Sequence, residues 1–532
     1  MKRIFFVFSL TAAIAAAGLV IYYTVFPAEG YFHSDCTDTL LWAQASYDSG
    51  KLFSEDFYYA ALLPFGTSLF MLPFIPVFGI SMTTHVIGMV IFAVCFMAAL
   101  MFFLRSLRFN WTWTLSVTSL FLMLMSSSDK LREIFWGHTI YYSLGLLFCF
   151  VGGGLILRWL DIIDKPGAGT AKKYILPAVF AAFTALTAFN GLQSLVIYIA
   201  PVLFCLAAYC FFDSEHPFFG AQNIRYFVLI AITAASAGAG MLVCALLRGN
   251  VYSGYLSGYS IFSALDQWVD NILSFPKMWF SLLGVQVAKG DYLLAFDAVA
   301  DMLRTAVGTV LLIVPVASLF EYKKIKDNRL KLLIWLCWGV IIAIMLGFVV
   351  GVIGNANWRL TPMLGATALL SMAMARYWIS RRTPMGVRFS VAVLAVLTAG
   401  GLVSAGTIAL MPADYGRDND LHVLARTLEE NDLTYGYATF WYSQAITVIS
   451  DSQVKVRNVK IEPSTGCEKY IYQSERSWFD AQPGQENYFL LLTRSELATL
   501  ESSINGRSLI KFAQKTIQQS GYTILVFDRN LF

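Results

Sequence analysis

Apolar runs of about twenty residues, separated by short polar stretches, recur from the N-terminus to about residue 410. At 1.5 Å per residue, a run of that length is what an α-helix needs to cross the hydrocarbon of a bilayer. The pattern predicts spans near residues 4–26, 82–104, 111–127, 136–157, 174–190, 192–212, 226–247, 303–320, 332–353, 360–379 and 389–410. A further apolar stretch, 65–79, is short and interrupted by Pro73 and Pro76, so it reads as an interfacial or re-entrant segment. Bulky residues from Ile21 to Phe26 stand where a signal-peptide cleavage site needs small ones, so the first run reads as a retained span.

After Met411 the pattern changes to Pro412, Asp414, Arg417, Asp418 and Asp420, and the remainder is soluble in character. Its periodicities predict helix near 418–431, strands near 435–440, 453–461 and 487–493, helices near 494–504 and 508–519, and a strand near 522–527. The fold class is therefore an all-α polytopic membrane bundle of about eleven spans with a small C-terminal α/β domain. The expected division is 1–410, with outer loops 27–81 and 248–302, and 411–532.

Composition agrees with this reading: of 532 residues, 57% are hydrophobic and 14% charged, which excludes an ordinary soluble globular protein. A net charge of +4 does not indicate nucleic-acid binding, because the basic residues are sorted by topology. With the N-terminus cytoplasmic, the inner loops hold Arg105 and Arg108; Arg158, Lys165, Lys172 and Lys173; Arg225; Lys323, Lys324, Lys326, Arg329 and Lys331; and Arg381, Arg382 and Arg388. The outer loops carry Asp35, Asp38, Asp48, Glu55 and Asp56 in the first, and Asp266, Asp270, Asp291, Asp297 and Asp301 in the largest. This asymmetry predicts a multi-pass plasma-membrane protein whose C-terminal domain is extracytoplasmic. Aromatic residues of the first outer loop, the Tyr and Gly residues Tyr252, Tyr255, Gly258 and Tyr259, and the amphipathic run 264–280 suit segments lying at the headgroups. Of eight cysteines, six lie in apolar runs as packing residues; Cys36 and Cys467 lie outside them, where one bridge is conceivable.

Three polar constellations fall at the outer surface. His33-Ser34-Asp35-Cys36-Thr37-Asp38 follows the first span, and its carboxylates either serve as general base for an incoming hydroxyl or cap the helix beginning near Thr37. Ser126 to Glu133 joins the third and fourth predicted spans, with His138 close by; Lys130 and Arg132 either meet an anionic group or form a solvated turn, and His138 either lines a site or is a satisfied buried histidine. Asn355-Ala356-Asn357-Trp358-Arg359 opens the tenth span, where Arg359 either binds a lipid-linked phosphate or snorkels to headgroups beside Trp358. No cofactor is indicated; a divalent metal is left open but is not supported by the sequence.

The order of elements, with Asp35 early in the first outer loop, resembles the GT-C superfamily of integral membrane glycosyltransferases, nearest to the protein mannosyltransferase and aminoarabinose transferase type. The resemblance covers the whole chain, but its sequence-specific part is short. It implies a polyprenyl-phosphate sugar donor, Asp35 at the position of the catalytic aspartate, and inverting hexosyl or pentosyl transfer to an unidentified extracytoplasmic acceptor. The donor phosphate is then expected at Arg359, with Lys130 and Arg132; Asp38 is the second catalytic candidate beside Asp35, and His33, His138 and Asn357 are site-lining candidates. That family often has Asp-Glu together, whereas here Cys36 follows Asp35 and the second acid is Asp38. A transporter or lipid-linked-glycan flippase is the alternative, and would want inverted repeats and mid-membrane ionisable groups. A receptor or scaffold using its C-terminal domain is the third reading.

Overall fold

The computed structural model describes residues 2–139, 141–164, 170–213, 217–252, 254, 261–286, 295–353 and 356–532. Lys165, Tyr255, Gly258, Tyr259, Asp291 and Asn355 lie outside the described residues. The chain divides into two compact units, one of residues 1–23, 92–246 and 258–411, the other of residues 24–91, 247–257 and 412–532.

Helices occupy all eleven predicted spans, and among the described residues nine are long and apolar enough to cross a bilayer. Two fall short of that measure. The third helix, Trp111–Leu124, has 14 residues, starting where Asn110 accepts the Trp113 amide. The tenth, Thr361–Arg381, is long enough but poorer in strongly apolar residues, and most of it is buried. The chain is thus a multi-pass membrane protein, and the bundle is predominantly helical as expected.

The fourth predicted span begins late. Residues Glu133–Gly137 form a single π-helical turn that buries Trp136, and the spanning helix is Tyr142–Ile163, not 136–157. In that helix Gly152, Gly153 and Gly154 leave room for rings: a Cβ there would strike Tyr198, Phe103 and Phe102 respectively. At one end of this unit the basic loops meet. Arg108 and Arg329 share Asp161, Arg225 pairs with Asp164, Lys331 with Asp213, and Lys324 and Arg381 share Glu321.

In the second unit the strands are β1 (Phe57–Tyr58), β2 (Tyr435–Thr439), β3 (Lys455–Glu462), β4 (Gly466–Lys469), β5 (Ser474–Glu475), β6 (Tyr488–Thr493), β7 (Lys515–Gln519) and β8 (Tyr522–Phe527). Six form one mixed sheet in the order β4-β3-β2-β6-β8-β7, with β2 parallel to both β3 and β6. The buried stretches of β2, β6 and β8 divide the core into two faces, one packed by the helices Asp420–Glu430 and Phe440–Ile449. The helix expected over 508–519 is corrected: Ile504–Lys511 is helical, and the rest is strand β7. Ser520 and Gly521, both at positive φ, make a two-residue turn that folds β7 back onto β8, and such turns suit paired strands.

This unit also contains the first outer loop. Its helix Asp38–Ser49 packs Leu40 and Ala43 with Ala445 and Val448, and β1 pairs antiparallel with β5. The stretch expected to be interfacial is a broken helix, Ser68–Met71, Leu72–Phe74 and Ile75–Phe78. Cys36 and Cys467 are both free thiols, one buried with Leu40 and Val448, the other on β4 beside the opposite sheet face, so no bridge joins them.

Candidate active site

The predicted site residues fall in both units, and each group has its own local structure. His33, Asp35 and Asp38 belong to the second. A 3-10 turn, Ser34–Thr37, runs directly into the helix Asp38–Ser49. Ser34 Oγ donates to the Phe440 carbonyl at 2.6 Å and Thr37 Oγ1 to the Ser34 carbonyl at 2.7 Å, while Cys36 is buried against the helix Phe440–Ile449. These anchors fix both acids without using either. The N-cap of the helix is Thr37, without a side-chain cap bond.

The two acids have different surroundings. Asp38 is buried, and Gln473 Nε2 donates to its Oδ1 at 2.5 Å. The same amide accepts at Oε1 from Trp42 Nε1 at 2.9 Å and the Ala60 amide at 3.3 Å, so Gln473 ties the helix Asp38–Ser49 to the segment at Ala60. Burial pushes the Asp38 carboxyl well above the ordinary carboxylate range, and the charge of Asp35 pushes the same way; the Gln473 hydrogen bond and His33 oppose them. Asp35 is half-buried. His33 is half-buried too, its ring 6.3 Å from that of Trp441. Asp38 is thus held toward its neutral form beside a more accessible carboxyl.

Gln473 escaped the sequence reading. It lies 435 residues from Asp38 along the chain, in the left-handed region at φ 51°, on the short segment between two strands that are individually weak signals. No local pattern announces such a residue.

Lys130, Arg132, His138, Asn357 and Arg359 belong to the first unit, where three chain segments converge. Lys130 Nζ lies 5.0 Å from the centroid of the Trp358 ring and donates to Glu133 at 2.5 Å. Arg359, half-buried, donates to the Ile353 carbonyl, and Asn357 Nδ2 to Ser281 Oγ at 3.2 Å. Lys130 and Trp358, the residue before Arg359, are therefore brought together. Arg132 is different: only 2% exposed, it donates to the Ser126 carbonyl at 2.9 Å and to Asp129, and sits over the Tyr23 ring. Its guanidinium holds the turn 126–132. His138 ends the π-helical turn, its amide donating to the Glu133 carbonyl at 2.6 Å.

A further cation joins this group. Arg304 Nη1 donates to the Gly284 carbonyl at 3.2 Å and to Asp301 at 3.0 Å, and Asp301 in turn accepts the Gln286 amide at 2.8 Å. Ser128 Oγ donates to the Leu282 carbonyl at 2.6 Å, binding the two segments. Among the described residues no three His, Cys, Asp or Glu side chains are grouped to hold a metal ion.

No family model matches the sequence, and no curated protein matches it either. Solved structures do. The oligosaccharyltransferase of Archaeoglobus fulgidus, in complex with zinc and sulfate, is similar at a TM-score of 0.50 and 10% identity, over 97% of this chain and 73% of that one. The archaeal oligosaccharyltransferase AglB from the same organism, with an inhibitory peptide and a dolichol-phosphate, gives 0.45 and 10% over 98% and 74%. ArnT from Cupriavidus metallidurans bound to undecaprenyl phosphate gives 0.39 and 12% over 97% of both chains. These neighbours are GT-C membrane glycosyltransferases, and the GT-C likeness read from the order of elements holds at the level of the fold.

Proposed function

We propose that this chain is a membrane glycosyltransferase that moves a sugar from a polyprenyl-phosphate donor to an extracytoplasmic acceptor with inversion. The reading rests on the pair of carboxyls after the first span, one buried and driven toward neutrality, the other half-buried, in a chain whose fold is that of an oligosaccharyltransferase.

Asp35 acts as the general base. Its carboxylate takes the proton of the acceptor hydroxyl as that oxygen bonds to the anomeric carbon, and the carbon–oxygen bond to phosphate breaks, releasing polyprenyl phosphate. Lys130 and Arg359 offset the charge of the departing phosphate. Asp38 is a positioning residue, and Arg132 acts through the turn that carries Lys130. The N-terminus is cytoplasmic and the residues after 411 extracytoplasmic, supported by the basic loops that meet at one end of the bundle.

The test is turnover of the purified chain in lipid with a panel of radiolabelled polyprenyl-phosphate sugars, read as release of free polyprenyl phosphate or labelled product. Asp35→Asn is expected to lower turnover by about 10²-fold or more while donor binding persists. Full turnover in Asp35→Asn would overturn the catalytic assignment, and neither binding nor turnover across the panel would favour a transporter.

A further inference from the structure

The basic end of the bundle contains a cavity of about 440 Å³, within the range of small-ligand sites. Its wall is apolar, with Leu107, Phe109 and Leu330, and its polar lining is strongly basic. Lys324, Lys326, Arg376 and Arg381 face it with a single carboxylate, Asp327, which accepts the Arg329 amide at the start of the helix Asn328–Val349.

The cations are not equivalent. Lys324 and Arg381 share Glu321 at 2.8 and 3.0 Å. Arg376 and Lys326 form no ion pair among the described residues. Arg376 is held in place by the Phe109 ring, 4.3 Å below its guanidinium, and by a long contact to the Arg108 carbonyl at 3.5 Å. A preformed arginine and an exposed lysine at the mouth of an apolar-walled cavity match one chemistry, a phosphate joined to an apolar group.

We propose that this cavity binds a phosphate group through Arg376 and Lys326, with the apolar part of the same ligand against Phe109 and Leu330. Its place among helix ends at headgroup level favours an anionic phospholipid over a free phosphate. The site is built from residues of the bundle alone and does not depend on the glycosyl-transfer reading.

The test uses the full chain purified in detergent, titrated with phosphatidylglycerol, phosphatidylcholine or inorganic phosphate, with thermal unfolding and native mass spectrometry as readouts. Phosphatidylglycerol is expected to raise the unfolding temperature and remain bound, with the half-saturating concentration raised about tenfold in K326A/R376Q. Because Arg376 also packs on Phe109, Lys326→Glu, at an exposed side chain, is read in parallel and is expected to weaken binding in the same direction. Saturable stabilisation by inorganic phosphate, lost in the same variants, would support the site and assign it to a soluble phosphate. Equal responses to the two lipids with none to phosphate, or responses unchanged in both variants, would overturn the proposal.

Discussion

The Asp38 carboxyl has a stability consequence that its neighbours sharpen. Its folded-state pKa lies above that of the unfolded chain, because burial and the Asp35 charge both disfavour the carboxylate. The folded state therefore holds the proton that the unfolded state releases, and this contribution is complete below the ordinary carboxylate range and lost as pH rises through the folded value. Glu29 and Glu475 are raised by burial and act with the same sign. Asp38→Asn keeps an acceptor for Gln473 but removes the titration, so its unfolding temperature, followed from pH 4 upward, is expected to fall less than that of the wild type. Parallel curves would show that Asp38 does not titrate in that window. Gln473→Ala removes one hydrogen bond each from a buried carboxyl, the Trp42 indole and the Ala60 amide, and should cost about 1–3 kcal/mol of stability by denaturant unfolding. Arg132→Ala should likewise destabilise the chain, by about 3 kcal/mol or less because Asp129 is largely exposed and keeps its water. Lys130→Ala should instead raise the donor concentration needed for half-maximal turnover at nearly unchanged stability.

Elements with a long single period were legible in the sequence, and those made by punctuation were not. Helices of twenty apolar residues appear where the runs predict them, since hydrocarbon leaves a backbone no other partner for its hydrogen bonds. Strand β6 and the helix Arg494–Ser502 also match, the latter begun by a capping box between Thr493 and Glu496. Over 508–519 a helical periodicity runs on through Gln514, but the decisive signal is the Ser520-Gly521 pair, which turns the chain back as a hairpin. Gly521 sits at φ 92°, with nothing within 4 Å of the place a methyl would take, so its substitution tests backbone conformation alone. Gly521→Ala is expected to cost about 1 kcal/mol and to increase hydrogen exchange in β7 before β8, because β7 is the edge strand. Protection unchanged in β7 would mean the turn relaxes without strain. The acids of the candidate site were legible as residue types in a suggestive place; which one is buried was not, because that depends on Gln473 and on the helix Phe440–Ile449.

At the scale of the molecule, the unit formed by residues 24–91, 247–257 and 412–532 is built from segments far apart in the chain. The links are ordinary residues at separations of several hundred: Asn419 donates to the Gly30 carbonyl at 2.9 Å, Arg417 pairs with Glu29 at 2.5 Å, and Gln473 reaches Asp38. Composition marks a change at Met411, but composition cannot say that the loop following the first span folds with the residues beyond that change. Energetically the loop depends on this partnership. Its buried residues Phe32, Cys36, Leu40 and Ala43 share one core with Ala445 and Val448, and the two-residue strand β1 pairs, among the described residues, with β5. A strand of two residues holds no structure alone, and a helix of 12 residues is marginal without tertiary packing. A chain ending at residue 411 should therefore insert its spans and still lose the order of residues 27–81. Limited proteolysis in lipid is the check: cleavage within 27–81 is expected to be about tenfold faster or more in the truncated chain, since removing some 2 kcal/mol of local stability raises the open population by more than that factor. Equal cleavage rates would mean that the loop holds Asp35 and Asp38 in place without the C-terminal residues. In that case the Gln473 contact would follow the fold of the loop, and the stability cost expected for Gln473→Ala would have to come from the C-terminal side alone.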